Sequence, residues 1–184
     1  MSINTKKLCQ LIKYAASRTL IWSKIEEGHT ITDRHFMVTF TEVPRDVMSV
    51  LLGIFLRIPE DGQSLKIMGG ELQDDFSLLN HEGLAKYKDA NVEGQVTPYL
   101  KDIDGVKARV LQIGDRFALV NDRFMGLTTD KVVRGYESPF MPIYLSGGAI
   151  LVLPFRFSTG EATQSELLKI TTHFEYSILR EGIE

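Results

Sequence analysis

Glu71, Asp74 and Asp75 precede His81, directly after a Gly69-Gly70 pair. Carboxylates with an imidazole close by are the residue types that hold Mg²⁺ and cleave a phosphodiester. Glu71, Asp74, Asp75 and His81 are therefore the candidate catalytic set of an enzymatic alternative. Acidic residues beside a Gly-Gly break more commonly serve as solvated turn residues. The four histidines, His29, His35, His81 and His173, fall in no H-E-x-x-H or C-x-x-C arrangement, so neither a metal site nor a cofactor is expected. Cys9, the single cysteine, is expected on the apolar face of a helix with no base beside it in sequence, which makes it a small hydrophobe and not a nucleophile. The Gly69-Gly70 and Gly147-Gly148 pairs match no phosphate-loop fingerprint and are read as turns. A Gly-x-Ser-x-Gly elbow is absent from the sequence.

A second chemistry is recognition of nucleic acid. Arg109, Arg116, Arg123, Lys131 and Arg134 are interleaved with Phe117 and Phe124. Rings turned outward beside arginines would stack on the bases of a single strand. The competing reading is plain strand alternation, with the charges out and Val110, Phe117 and Leu119 in. The formal charge of the 184-residue chain is −3, so nothing global draws it to nucleic acid or anionic lipid, although a local basic strip is compatible with that total.

These residues need a scaffold, and the pattern predicts an α+β one, with mainly antiparallel sheet. Asn4 is placed to cap an N-terminal helix whose apolar side carries Leu8, Leu11, Ile12, Ala15 and Ala16. Residues 19–26 and 35–42 read as strands, with turn chemistry at Glu27-Gly28-His29. Pro44 suits the first position of a helix near 44–57 that is apolar over most of its circumference and expected to be buried. Ser64–Met68 reads as a strand, 74–79 as either strand or helix, and 81–89 as a weak helix. Residues 90–104 are polar, contain Gly94 and Pro98, and read as a loop. Val106–Ile113 and Arg116–Asn121 form a hairpin, Asp122–Leu127 a helical turn, and 128–137 a further loop. Residues 138–157 read as two strands about Ser146-Gly147-Gly148. An amphipathic helix over 161–180 follows, announced by a capping box at Ser158 and Glu161. The expected organisation is a single domain over 1–184, with 1–90 and 105–184 as possible subdomains.

Hydrophobic residues make up 43% and charged residues 24%, the mix of an ordinary soluble globular protein. The most apolar windows are shorter than the roughly 20 residues of a membrane helix. No secretory signal is visible, so a cytoplasmic protein with no membrane contact is expected.

Ser138-Pro139, Ile143 and the run Ile150-Leu151-Val152-Leu153-Pro154-Phe155-Arg156 resemble the C-terminal strands of bacterial sliding clamps. The helix start Ile3-Asn4-Thr5-Lys6-Lys7-Leu8 is compatible with such a module. So is Val43-Pro44-Arg45-Asp46-Val47-Met48 leading to Pro59-Glu60-Asp61-Gly62. Val120-Asn121-Asp122-Arg123-Phe124 before that ending also resembles small phage and mobile-element proteins of Gram-positive bacteria. A clamp subunit ends on its last strand, whereas here a helix is expected to follow. The resemblance implies a non-enzymatic module working through its surfaces. The leading expectation is thus a non-enzymatic, replication-associated binding protein that contacts protein or nucleic acid and self-associates. Its alternatives are the phosphodiester-cleaving enzyme above and an inhibitor of a host protein.

Overall fold

In a computed structural model the described residues are 3–25, 28–73, 90–138 and 140–156. They form an antiparallel sheet of eleven strands with two α-helices, a mixed α+β architecture. The expected helices over 81–89 and 161–180 lie outside the described residues.

Helix α1 (Thr5–Ala16) begins where the sequence places it. The Asn4 side-chain oxygen accepts from the Lys7 amide at 3.1 Å, and Leu8, Leu11, Ile12 and Ala15 are buried. Strand β1 (Thr19–Ile25) pairs with β2 (Gly28–Thr32), and β2 with β3 (Phe36–Phe40). Gly28 and His29 therefore begin a strand instead of forming the expected turn. A side chain at Gly28 would collide with the Phe40 carbonyl across the ladder, so glycine is needed there for close approach of two strands.

Helix α2 (Arg45–Phe55) is capped by Pro44, one position earlier than expected, and ends on a left-handed Leu56. It buries Val47, Leu51 and Phe55, while Leu52 and Gly53 are exposed. The expectation of a helix buried over most of its circumference is thus corrected to one buried face. Its apolar residues outnumber those the core can cover because α1 and the sheet reach it from one side only. Strands β4 (Ser64–Met68) and β5 (Glu71–Gln73) complete this half, with Gly69-Gly70 turning between them.

The largest departure from expectation is residues 90–104. They are not a loop but contain β6 (Val92–Ile103), a twelve-residue strand between two others. Its polar residues are tolerated because most positions are only half-buried, and Pro98 falls where the register slips between Val96 and Leu100. A proline has no amide to donate, so a bulge is where a strand can carry one. Strands β7 (Val106–Ile113) and β8 (Arg116–Asn121) have the expected bounds, and Asp122–Leu127 is a 3₁₀ turn. The expected loop over 128–137 contains β9 (Val132–Gly135), which pairs with β6 and with β10 (Ile143–Leu145). Ser146–Gly148 then turns the chain into β11 (Ile150–Val152).

The strand order is β5-β4-β1-β2-β3-β11-β10-β9-β6-β7-β8, so β11 is central and joins the two halves. Helix α1 contacts both halves, at β1 and at the 3₁₀ turn. The Asn4 amide donates to the Leu127 carbonyl at 2.7 Å, Ile3 bridges Thr128, and the same helix packs on α2 and β1. One core collects Trp22, Phe36 and Leu65 from the first strands, Leu111 and Val120 from the last, and Phe124 from the 3₁₀ turn. Beyond β11 the Phe155 amide donates to the Leu119 carbonyl at 2.8 Å, which draws β8 back to the middle of the sheet. Both faces of the β7–β8 hairpin are consequently covered. Leu111, Ile113, Ala118 and Val120 enter the main core, and Ala108, Val110, Phe117 and Leu119 form a second cluster with Phe155.

Candidate nucleic-acid interface

A groove of about 560 Å³ lies where several parts of the fold meet. The end of α1 supplies Tyr14 and Arg18, the β2–β3 turn supplies Arg34 and His35, and Asn121 with Arg123 comes from the end of β8. The segment following β11 adds Phe155 and Arg156, and Phe140 lies in the same lining. Four arginines thus line one concavity, with no carboxylate among its lining residues. In a chain of net charge −3 this is a concentrated reversal of sign.

Each arginine is placed by local structure. Asp33 is buried, and its Oδ1 accepts from the amides of His35 and Phe36 at 2.8 and 2.9 Å, which fixes the β2–β3 turn. Its other oxygen, Oδ2, accepts from the Arg123 guanidinium at 3.3 Å. The same guanidinium lies 5.0 Å from the centre of the Tyr14 ring and 4.7 Å from that of Phe124. Two rings and a carboxylate therefore immobilise Arg123, whose Nε is buried without an acceptor. Arg18 lies 4.7 Å from the centre of the same Tyr14 ring. Among the described residues Arg18, Arg34 and Arg156 make no ion pair, so their charge is directed at the groove and solvent.

The basic residues expected from the sequence separate. Arg123 alone of that set lines the groove. Arg109 is committed to structure, with 2.8 Å contacts from Nε and Nη2 to Asp122 and donations to the Thr97 and Pro98 carbonyls. Arg116 is exposed at the β7–β8 turn, 3.9 Å from Asp115. Lys131 and Arg134 face a smaller cavity of about 290 Å³ with Asp130 and Tyr144. Beside it the Ser146 hydroxyl donates to Asp130 at 2.9 Å. Phe117 and Phe124 are buried, which rules out the outward-facing arrangement of these rings.

Of the acidic set, Glu71 is exposed on edge strand β5, where it pairs with Met68. Asp74, Asp75 and His81 lie outside the described residues, as does His173. Among the described residues no three His, Cys, Asp or Glu side chains gather as metal ligands. His29 accepts from the Trp22 indole N–H at 3.2 Å, and burial holds its imidazole below the ordinary value, with Lys24 acting in the same direction. Burial also pushes the Cys9 thiol up, with the Asp46 carboxylate adding to the effect, which makes a thiolate less accessible. No described helix is long and apolar enough to cross a membrane.

Arg18, Arg34, Arg156 and Tyr14 were not singled out by sequence spacing, because the groove draws them from remote segments. The one local signal was the Phe155-Arg156 pair at the end of the apolar run. Compared with known proteins, the chain matches no family model, no curated relative and no solved structure.

Proposed function

We propose that this chain is a non-enzymatic binding protein whose arginine-lined groove takes single-stranded nucleic acid. The observation that carries the reading is the convergence of Arg18, Arg34, Arg123 and Arg156 with aromatic rings in one concavity free of lining carboxylates. Guanidinium groups attract the phosphate backbone, and rings beside them accept bases by stacking. A duplex does not present its base faces, which favours the single strand. The half-buried Phe140 is the stacking candidate, since the Tyr14 ring already carries the Arg18 and Arg123 guanidinium groups. A surface-acting, replication-associated module is also what the sliding-clamp resemblance implies.

The test is fluorescence anisotropy with a labelled single-stranded oligonucleotide across a salt series. Binding is expected to weaken steeply with salt, and Arg18→Glu with Arg156→Glu together to weaken it at least about tenfold. Equal affinity of parent and variant would remove the groove from the reading. In parallel, the strand is expected to be recovered at full length after incubation with Mg²⁺ or Mn²⁺. Cleavage that disappears in Asp75→Asn would instead establish the enzymatic alternative built on Glu71, Asp74, Asp75 and His81.

A further inference from the structure

We infer that Arg34 is the residue that grips a phosphate in this groove, presented by a backbone conformation that is unfavourable for it. This rests on the nucleic-acid reading and goes beyond it by naming the contact. Arg34 has φ +75°, in the left-handed region that suits glycine or asparagine. The surrounding turn holds it there from several directions. The Thr32 hydroxyl accepts from the Arg34 amide at 2.9 Å and donates to the Phe36 carbonyl at 2.6 Å. Asp33 fastens the next two amides and ties the turn to Arg123. Thr32 and Asp33 are buried, whereas Arg34 is exposed and lines the groove.

The Arg34 side chain returns nothing to the fold for this strain. Its guanidinium makes no ion pair or hydrogen bond among the described residues. A residue that opposes its own backbone and supports no neighbour is placed for something outside the chain. Beside Arg123, with which its turn is tied, a guanidinium finds its natural complement in a phosphodiester oxygen. The occupant is therefore the backbone of a single strand, with Arg34 as its phosphate contact.

The separating experiment compares the full chain with Arg34→Gly and Arg34→Lys in thermal melting and in salt-dependent binding of a labelled oligothymidylate. Arg34→Gly is expected to melt at the same or a higher temperature and yet bind about tenfold more weakly. Its slope of log affinity against log salt should be shallower by about 0.7, the loss of one phosphate contact on a single strand. Arg34→Lys should keep the parental slope. If Arg34→Gly binds with the parental affinity and slope, Arg34 is not the contact, and the groove reading stands without it. If that variant melts lower, the turn is not strained and the inference falls as well. If the parent binds no oligonucleotide, both readings fall together.

Discussion

The Arg109 guanidinium meets Asp122 at 2.8 Å and the carbonyls of Thr97 and Pro98 at 3.3 and 2.8 Å. It stands at the bulge in β6, where it donates to the Thr97 and Pro98 carbonyls while the Thr97 hydroxyl donates across to the Val110 carbonyl at 2.7 Å. Arg109→Met should cost about 2 kcal/mol in urea unfolding, the scale of charge-assisted bonds lost around partly buried groups. A double-mutant cycle with Asp122→Asn should show coupling, and strict additivity would mean the pair is incidental. His29 is a different kind of hold. Its Nδ1 must stay unprotonated to accept from Trp22, and burial depresses its pKa. The unfolded chain therefore takes up this proton at a higher pH than the folded one. The stability it contributes is complete above about pH 6.5 and is lost as pH falls through the lower folded value. Melting temperature should drop between pH 7 and 5, and His29→Gln should flatten that drop. Neither role was legible in the sequence, because Arg109 and Asp122 are brought together by pairing of β7 with β8, and Glu27-Gly28-His29 has the chemistry of a turn although His29 stands in β2.

At the scale of elements, regular alternation and capping were legible and irregular strands were not. Asn4 with Leu8, Leu11 and Ile12 announced α1, and the close succession of Val106–Ile113 and Arg116–Asn121 announced the β7–β8 hairpin, because those signals are local. Strand β6 was hidden because its Gly94 and Pro98 act in opposition to strand propensity and are accommodated only by neighbours. A side chain at Gly94 would collide with the Gln112 carbonyl on β7, so its glycine is a requirement of pairing. Gly53 on the exposed side of α2 has open space around its α-carbon. The two should respond in opposite directions to the same substitution. Gly94→Ala is expected to destabilise by about 2 kcal/mol through backbone collision. Gly53→Ala should stabilise by about 0.5–1 kcal/mol through helix propensity. Chemical denaturation of both variants checks the contrast, and a common sign would contradict the placement of β6. The groove was illegible for a related reason. Arg18, Arg34 and Arg156 become neighbours only after α1, the β2–β3 turn and the segment following β11 have docked.

For the whole molecule, the sheet is held together by bonds between distant parts of the chain. The Phe155 amide reaches Leu119, and the Leu153 amide reaches His35, each at 2.8 Å. If these bonds close the sheet, both amides should exchange with deuterium as slowly as those of β11. Fast exchange there with slow exchange in β11 would show that closure is not part of the stable core. The α1 helix carries the same logic to its extreme. Its entry is secured by Leu127 and Thr128, whose partners Asn4 and Ile3 stand at the opposite end of the described chain. During synthesis the helix precedes the residues that fasten its first turn by more than a hundred others. Contacts so remote in sequence slow folding, since a large loop must close before they form. The early helix is therefore a waiting surface, and its final seat is decided late, by the β7–β8 hairpin and the 3₁₀ turn that follows it.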